Sequence, residues 1–226
     1  YEVYGGDVSV GAGYTLAVDR GVVFKGAPGV GIGVQGDLRV LGTAAEPVVF
    51  TVKTVDTCGN TACGEAGDSG DTNEDGGATS PERGDWDSVH VNGTLSDVEL
   101  RHAVFRYGLT GFGCGNIDTV DVAHVRCELN AVDGMYLTGC APVTMVGVVA
   151  DSNGQDGFYI AQSSGTIDSL TVTRNDRHGV RTRATMPFAH VTADDNGGHG
   201  LFIEQGDPVL AHATLTDNAL YGLYTG

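Results

Sequence analysis

Five times in its last hundred residues the chain sets an asparagine four positions before a glycine and follows the glycine with a short apolar run. The pairs are Asn130/Gly134, Asn153/Gly157, Asn175/Gly179, Asn196/Gly200 and Asn218/Gly222, with the asparagines 23, 22, 21 and 22 residues apart. A fixed period of this length is the mark of stacked structural repeats. The triplets after the glycines, such as Met135-Tyr136-Leu137, Phe158-Tyr159-Ile160 and Leu201-Phe202-Ile203, alternate in polarity or bulk. Alternation over so few residues predicts strand. A second short strand precedes each asparagine, as in Leu170-Thr171-Val172-Thr173.

One unit therefore reads strand, polar turn, strand, loop. About 22 residues is too short for a strand–helix–strand crossover, which needs about 30. The remaining solution is a coil that closes on itself and stacks on the next at roughly 4.8 Å. The fold class is all-β: a parallel β-helix, a single-stranded solenoid of about nine to ten coils. Stacking files the asparagines above one another, where each amide can bond the next amide and turn backbone. Each glycine serves either a positive φ or a close approach. Met135, Phe158, Val180, Leu201 and Leu223 form an inward column. Tyr107, Gly111 and Phe112 repeat the pattern one coil earlier, with Tyr107 in the asparagine's place.

Residues 7–51 carry looser strands between glycine-rich turns, and an acidic, Gly-rich insertion then spans about 55–85, ahead of Trp86. The whole of 1–226 reads as one domain interrupted by that loop. The 36 glycines belong to turns. A net charge of −17 excludes a nucleic-acid surface, which needs basic groups, and disfavours anionic lipid. No apolar run approaches the 18 residues of a membrane span, so no membrane insertion is expected.

Inside the insertion, Asp71, Asn73, Asp75, Gly76 and Glu82 satisfy D-x-[DN]-x-[DN]-G-x5-E at every defined position. Oxygen donors at alternate positions let one turn of backbone wrap a hard cation. Gly77 can add its carbonyl, Thr79 a direct or water-bridged ligand, and Glu82 a bidentate carboxylate. The expected cofactor is structural Ca2+, with Asp68, Asp85 or Asp87 able to complete the set. Cys58 and Cys63 flank a four-residue loop and can close a local disulfide. Cys114 and Cys127 fall where other coils place Leu, Ile, Val or Ala, so each is either a buried thiol or a bridging residue, and Cys140 can pair with either.

The stretch GTAAEPVVFT, the acidic loop GDTNEDGGATSPERGDW and the asparagine–glycine coils together resemble the right-handed, pectate-lyase-like parallel β-helix regions of large bacterial secreted and cell-surface proteins. The resemblance implies a right-handed helix, an extracellular location and a module within a longer protein. Further coils, another domain or another subunit is expected at the C-terminal end.

Two outward columns define the candidate site. The residue before each glycine gives Asp133, Asp156, His178, His199 and Tyr221. The residue two after it gives Tyr136, Tyr159, Arg181, Phe202 and Tyr224, a candidate glycan-binding strip. Two readings follow. In one, the columns are structural ladders of an adhesive module that also contacts glycans. In the other, Asp133, Asp156, His178 and His199 are the catalytic groups of a polysaccharide lyase, epimerase or glycoside hydrolase. Arg174, Arg177, Arg181 and Arg183 then either neutralise the nearby acids or hold a uronate.

Overall fold

A computed structural model of the chain describes residues 2–3, 6–54 and 79–226. Among these residues every regular element is a strand, and every pairing between strands is parallel. Nine strands from Val8–Val10 to Leu223–Thr225 follow one another in a single sheet in chain order. That order is possible only if each coil returns to the same wall, so the described residues make nine coils. The rest of the strands form a second sheet wrapped over the other two walls.

Full coils have three corners, and most corners turn at a residue with positive φ. The first column is Asn116, Gly139 and Gln162. The second is His102, His124, Gly147, Ser169, His190 and His212. The third is Tyr107, Leu129, Ser152, Arg174, Asp195 and Asp217. A single left-handed residue turns the strand direction without ending the ladder of hydrogen bonds. The unit therefore has three strands, as in Phe112–Gly115, Thr119–Ala123 and Arg126–Glu128, where two were expected. In later coils the second corner lies inside bent strands, Val143–Asp151 and Gly165–Thr173.

The asparagine ladder follows the third corner. Asn153 donates from Nδ2 to Oδ1 of Asn175 at 2.9 Å and to the carbonyl of Cys127 at 3.0 Å. Its own Oδ1 accepts from the backbone N–H and Nδ2 of Asn130 at 3.1 and 2.9 Å. The pattern repeats through Asn175, Asn196 and Asn218. The ladder ends below Asn130, whose Oδ1 accepts from the N–H of Gly108. Gly108 thus holds the asparagine position in that coil, and Tyr107 is the left-handed corner residue before it. The assignment of Tyr107 to the asparagine place is corrected by one residue, because this coil has one residue fewer between corner and sheet.

The ladder glycines serve close approach. A Cβ on Gly157 would lie 2.5 Å from Nδ2 of Asn175 and 2.8 Å from the carbonyl oxygen of Gly179. Gly134, Gly179 and Gly200 meet their neighbours in the same way. The positive φ that an asparagine–glycine turn suggests belongs instead to the residue before each asparagine.

Inside, side chains stack in files. Val89, Phe112, Met135, Phe158, Val180 and Leu201 share one register and are fully buried. A second file runs Phe24, Phe50, Phe105, Cys127, Ala150, Val172 and Ala193. The rings of Phe50 and Phe105 lie parallel, centroids 4.8 Å apart. Small residues follow because the ladder glycines press on this file, as Gly134 does on Ala150.

The coil before the insertion and the coil after it are neighbours. Ile32–Val34 pairs with Val89–Asn92, and Asp37–Leu41 with Asp97–Arg101. Trp86 closes the junction: it is buried, its indole N–H donates to the Arg106 carbonyl at 2.8 Å, and it covers Gly26.

Candidate functional site

The strand register sets Tyr136, Tyr159, Arg181, Phe202 and Tyr224 in one outward column of the nine-stranded sheet. The adjoining turn sets Asp133, Asp156, His178, His199 and Tyr221 beside it. Sequence spacing located both columns correctly, because each coil returns to the same wall.

The turn column is bonded from coil to coil. The N–H of Asp156 donates to Oδ1 of Asp133 at 3.0 Å, that of His178 to Oδ1 of Asp156 at 3.2 Å, that of His199 to Nδ1 of His178 at 3.0 Å, and that of Tyr221 to Nδ1 of His199 at 3.2 Å. Each side chain thus satisfies a turn amide that the parallel ladder leaves without a backbone acceptor. Accepting at Nδ1 requires that nitrogen to be unprotonated, so the bond from the His199 N–H holds His178 neutral with its proton on Nε2.

The electrostatics agree. Burial raises the pKa of Asp133 to about 6, with the charge of Asp156 adding to it. Asp156 is also raised by burial, although Arg177 and Arg181 each approach its Oδ2 at 3.8 Å and pull the other way. Burial, reinforced by Arg177 and then by His199 and Arg181, lowers His178 to about 4.

The aromatic column is self-stacked. Tyr136 lies on Tyr159 with centroids 4.9 Å apart, and the guanidinium of Arg181 covers the other side of Tyr159 at 5.1 Å. Tyr159 is only 8% exposed as a result, against 36% for Tyr136. Further along, His178 and His199 stack at 5.1 Å, and His199 lies parallel to Tyr224 at 4.5 Å. Stacking along the helix axis uses ring faces and leaves ring edges and hydroxyls toward solvent. A sugar laid on this strip would meet edges at Tyr159.

Arg181 binds Glu204 through Nε and Nη2, both at 2.7 Å, and Arg183 holds the other oxygen of Glu204. These two arginines, Arg183 first, bring Glu204 down to about 2. Glu204 thus engages both guanidiniums, and Arg177 shares Asp156 with Arg181. Arg174 pairs with Asp151 at 2.7 Å. The arginine cluster neutralises neighbouring carboxylates.

Of the calcium-loop residues, Asp71, Asn73, Asp75 and Gly77 lie outside the described residues, as do Cys58 and Cys63. Thr79 and Glu82 lie within them. Asp85 acts as a local cap: its Oδ2 accepts from the Glu82 N–H at 2.8 Å and the Thr54 hydroxyl at 3.3 Å. Arg83 reaches Asp176 at 2.6 Å and ties the end of the insertion to a later coil. Among the described residues no cluster of three or more His, Cys, Asp or Glu is placed to hold a metal.

Some groups escaped sequence reasoning. Glu204 follows its strand with no motif to mark it. The second-corner histidines are different, because His102 and His124, and His190 and His212, are each 22 residues apart. They stack at 4.8 and 4.9 Å, and the same period that found the asparagines would have found them.

Residues 87–226 match the family described as the right-handed β-helix region. The match covers more than half of the chain, and the chain belongs to that family. Its solenoid extends further, because the coils before the insertion continue the same sheets. No curated protein and no solved structure matches the chain.

Proposed function

We propose that the chain is a non-catalytic structural and adhesive β-helix module of a secreted or cell-surface protein, with Ca2+ stabilising its acidic insertion. One observation carries the reading. Each side chain of the Asp133–Asp156–His178–His199 column spends one acceptor, Oδ1 or Nδ1, on the turn amide of the next coil, and Oδ2 of Asp156 faces Arg177 and Arg181. A general base needs a free acceptor facing substrate, and each imidazole has given its Nδ1 to the scaffold. The connections beside the strip are also short: three residues separate Ala161 from Gly165, and four separate Arg183 from Phe188. They raise no high walls around a bound chain.

Glycan contact on this face would use the hydroxyls and edges of Tyr136 and Tyr224 together with the edge of Phe202. Arg181 and Arg183 are both bonded to Glu204 and the chain carries a net charge of −17, so neutral sugars suit the strip better than uronates. A glycan array, with reducing-sugar and unsaturated-uronate assays, tests both halves. The expected result is weak binding of neutral glycans without turnover. Turnover abolished by Asp156→Asn would overturn the non-catalytic reading in favour of a polysaccharide-active enzyme.

For the metal, Asp71, Asn73, Asp75, Gly77, Thr79 and Glu82 supply the oxygen donors a calcium loop uses. Chelation is expected to lower Tm, and Asp75→Ala to remove that response. Equal melting curves with Ca2+ and with chelator would count against the site.

A further inference from the structure

We propose that Cys114 and Cys140 are a disulfide-forming pair that staples two adjacent coils from inside the core. Cys114 lies on the wall strand Phe112–Gly115, in register between Val91 and Leu137. Cys140 follows the first-corner residue Gly139 one coil later. Its corner is in step with Ile117 and Ser163: the N–H of Ala141 donates to the Ile117 carbonyl, that of Ser164 to the Cys140 carbonyl, and that of Cys140 to the Ser163 hydroxyl. The corner turns the Cys140 side chain inward and brings its Sγ to 3.1 Å from that of Cys114. A disulfide is about 2.05 Å long, so roughly 1 Å of closure is needed.

The third buried cysteine supplies the contrast. Cys127 sits in the file between Phe105 and Ala150, on another wall. It is a small hydrophobe where its neighbours are Phe and Ala. Cys114 and Cys140 occupy different columns of different coils, yet their sulfurs meet. The Cys114 thiol, by hydrogen bonding, favours the thiolate of Cys140, whereas burial disfavours that of Cys114.

With a small-molecule disulfide such as oxidised glutathione as oxidant, the step balances by exchange. The thiolate of either cysteine, here Cys140, attacks one glutathione sulfur and expels a glutathione thiolate. Cys114 then loses its proton to solvent and attacks the Cys140 sulfur, expelling the second. Two protein thiols are oxidised, and one disulfide is reduced to two thiols. Both cysteines are fully buried in the finished helix, so the exchange belongs to folding, before the coils close. The bond would enclose one full coil and restrict the unfolded chain.

The test refolds the full chain from denaturant in a glutathione buffer with excess oxidised form, then blocks remaining thiols with N-ethylmaleimide in denaturant. Trypsin with a glutamate-specific protease cuts after Arg126 and Glu128 and so separates the three buried cysteines. The expected map joins the Cys114 and Cys140 peptides, two hydrogens lighter than their sum, with Cys127 alkylated. Alkylation of both Cys114 and Cys140, or their linkage to Cys58, Cys63 or Cys127, in protein with a native circular dichroism spectrum would overturn the proposal. In a Cys58→Ser/Cys63→Ser background the oxidised form is expected to melt roughly 5–10 °C above the reduced form. A cross-link with no rise in Tm would overturn the stapling role.

Discussion

The imidazole of His178 accepts the backbone N–H of His199, one coil further on, at 3.0 Å, while the two rings stack at an interplanar angle of 7°. Protonating Nδ1 of His178 would break that bond and place a cation beside Arg177 and Arg181. The folded pKa of about 4 lies below the unfolded value of about 6.5. Between those values the unfolded chain binds more protons, so this contribution is whole above about pH 6.5 and is lost as pH falls toward 4. His178→Asn keeps an acceptor but cannot titrate. Relative to the wild type, it is expected to gain on the order of 2 kcal/mol in stability between pH 7.5 and 4.5. Urea titrations at both pH values measure this; parallel losses in the two proteins would refute it.

Asp133 behaves in the opposite sense. Its folded pKa, about 6, lies above the unfolded value of about 3.9, so the folded state holds the proton more tightly and loses stability as pH rises through that window. The two effects offset each other between pH 4 and 6, and single variants expose them. Asp133→Asn keeps the oxygen that accepts from the Asp156 N–H. It is expected to stabilise the protein by about 1–2 kcal/mol at pH 7.5 and to change little at pH 4. Destabilisation at pH 7.5 would mean that the carboxylate charge contributes more through Arg177 and Arg181 than burial costs it.

Asn153 is fully buried and carries four ladder hydrogen bonds, whereas Asn218 is partly exposed at the last rung. Asn153→Ala leaves buried partners unsatisfied and is expected to cost about 3–5 kcal/mol. Asn218→Ala is expected to cost about 1 kcal/mol, since water can replace its amide. Equal losses at the two positions would show that burial does not set the strength of the ladder.

Gly157→Ala drives a methyl group into the Asn175 amide at 2.5 Å. The expected loss is about 2–4 kcal/mol. At Gly33 an added Cβ meets nothing nearer than 4.0 Å, so Gly33→Ala is expected to stay within about 1 kcal/mol. Thermal melts of the two variants separate close approach from a general intolerance of side chains on this sheet.

Much of the architecture was legible because a solenoid turns sequence period into vertical alignment. The spacing from Asn130 to Asn218 predicted the amide ladder, the inward file from Phe112 to Leu201 and both outward columns. It failed where the coil length changes by one residue, so Tyr107 was placed on the asparagine rung that Gly108 holds. The third strand was missed because left-handed corners occur at residues as unlike as His102, Gly147 and Ser169, so only the histidine pairs at 22-residue spacing mark them.

The sequence by itself determined the period, the strand content and which residues share a column, because those follow from alternation and repeat length alone. Only the tertiary structure decided how the columns are used. It spent one acceptor each of Asp133, Asp156, His178 and His199 on turn amides, bound both Arg181 and Arg183 to Glu204, and brought the sulfurs of Cys114 and Cys140 together. Such contacts depend on where the corners aim each side chain between coils, and that direction is set by packing in three dimensions.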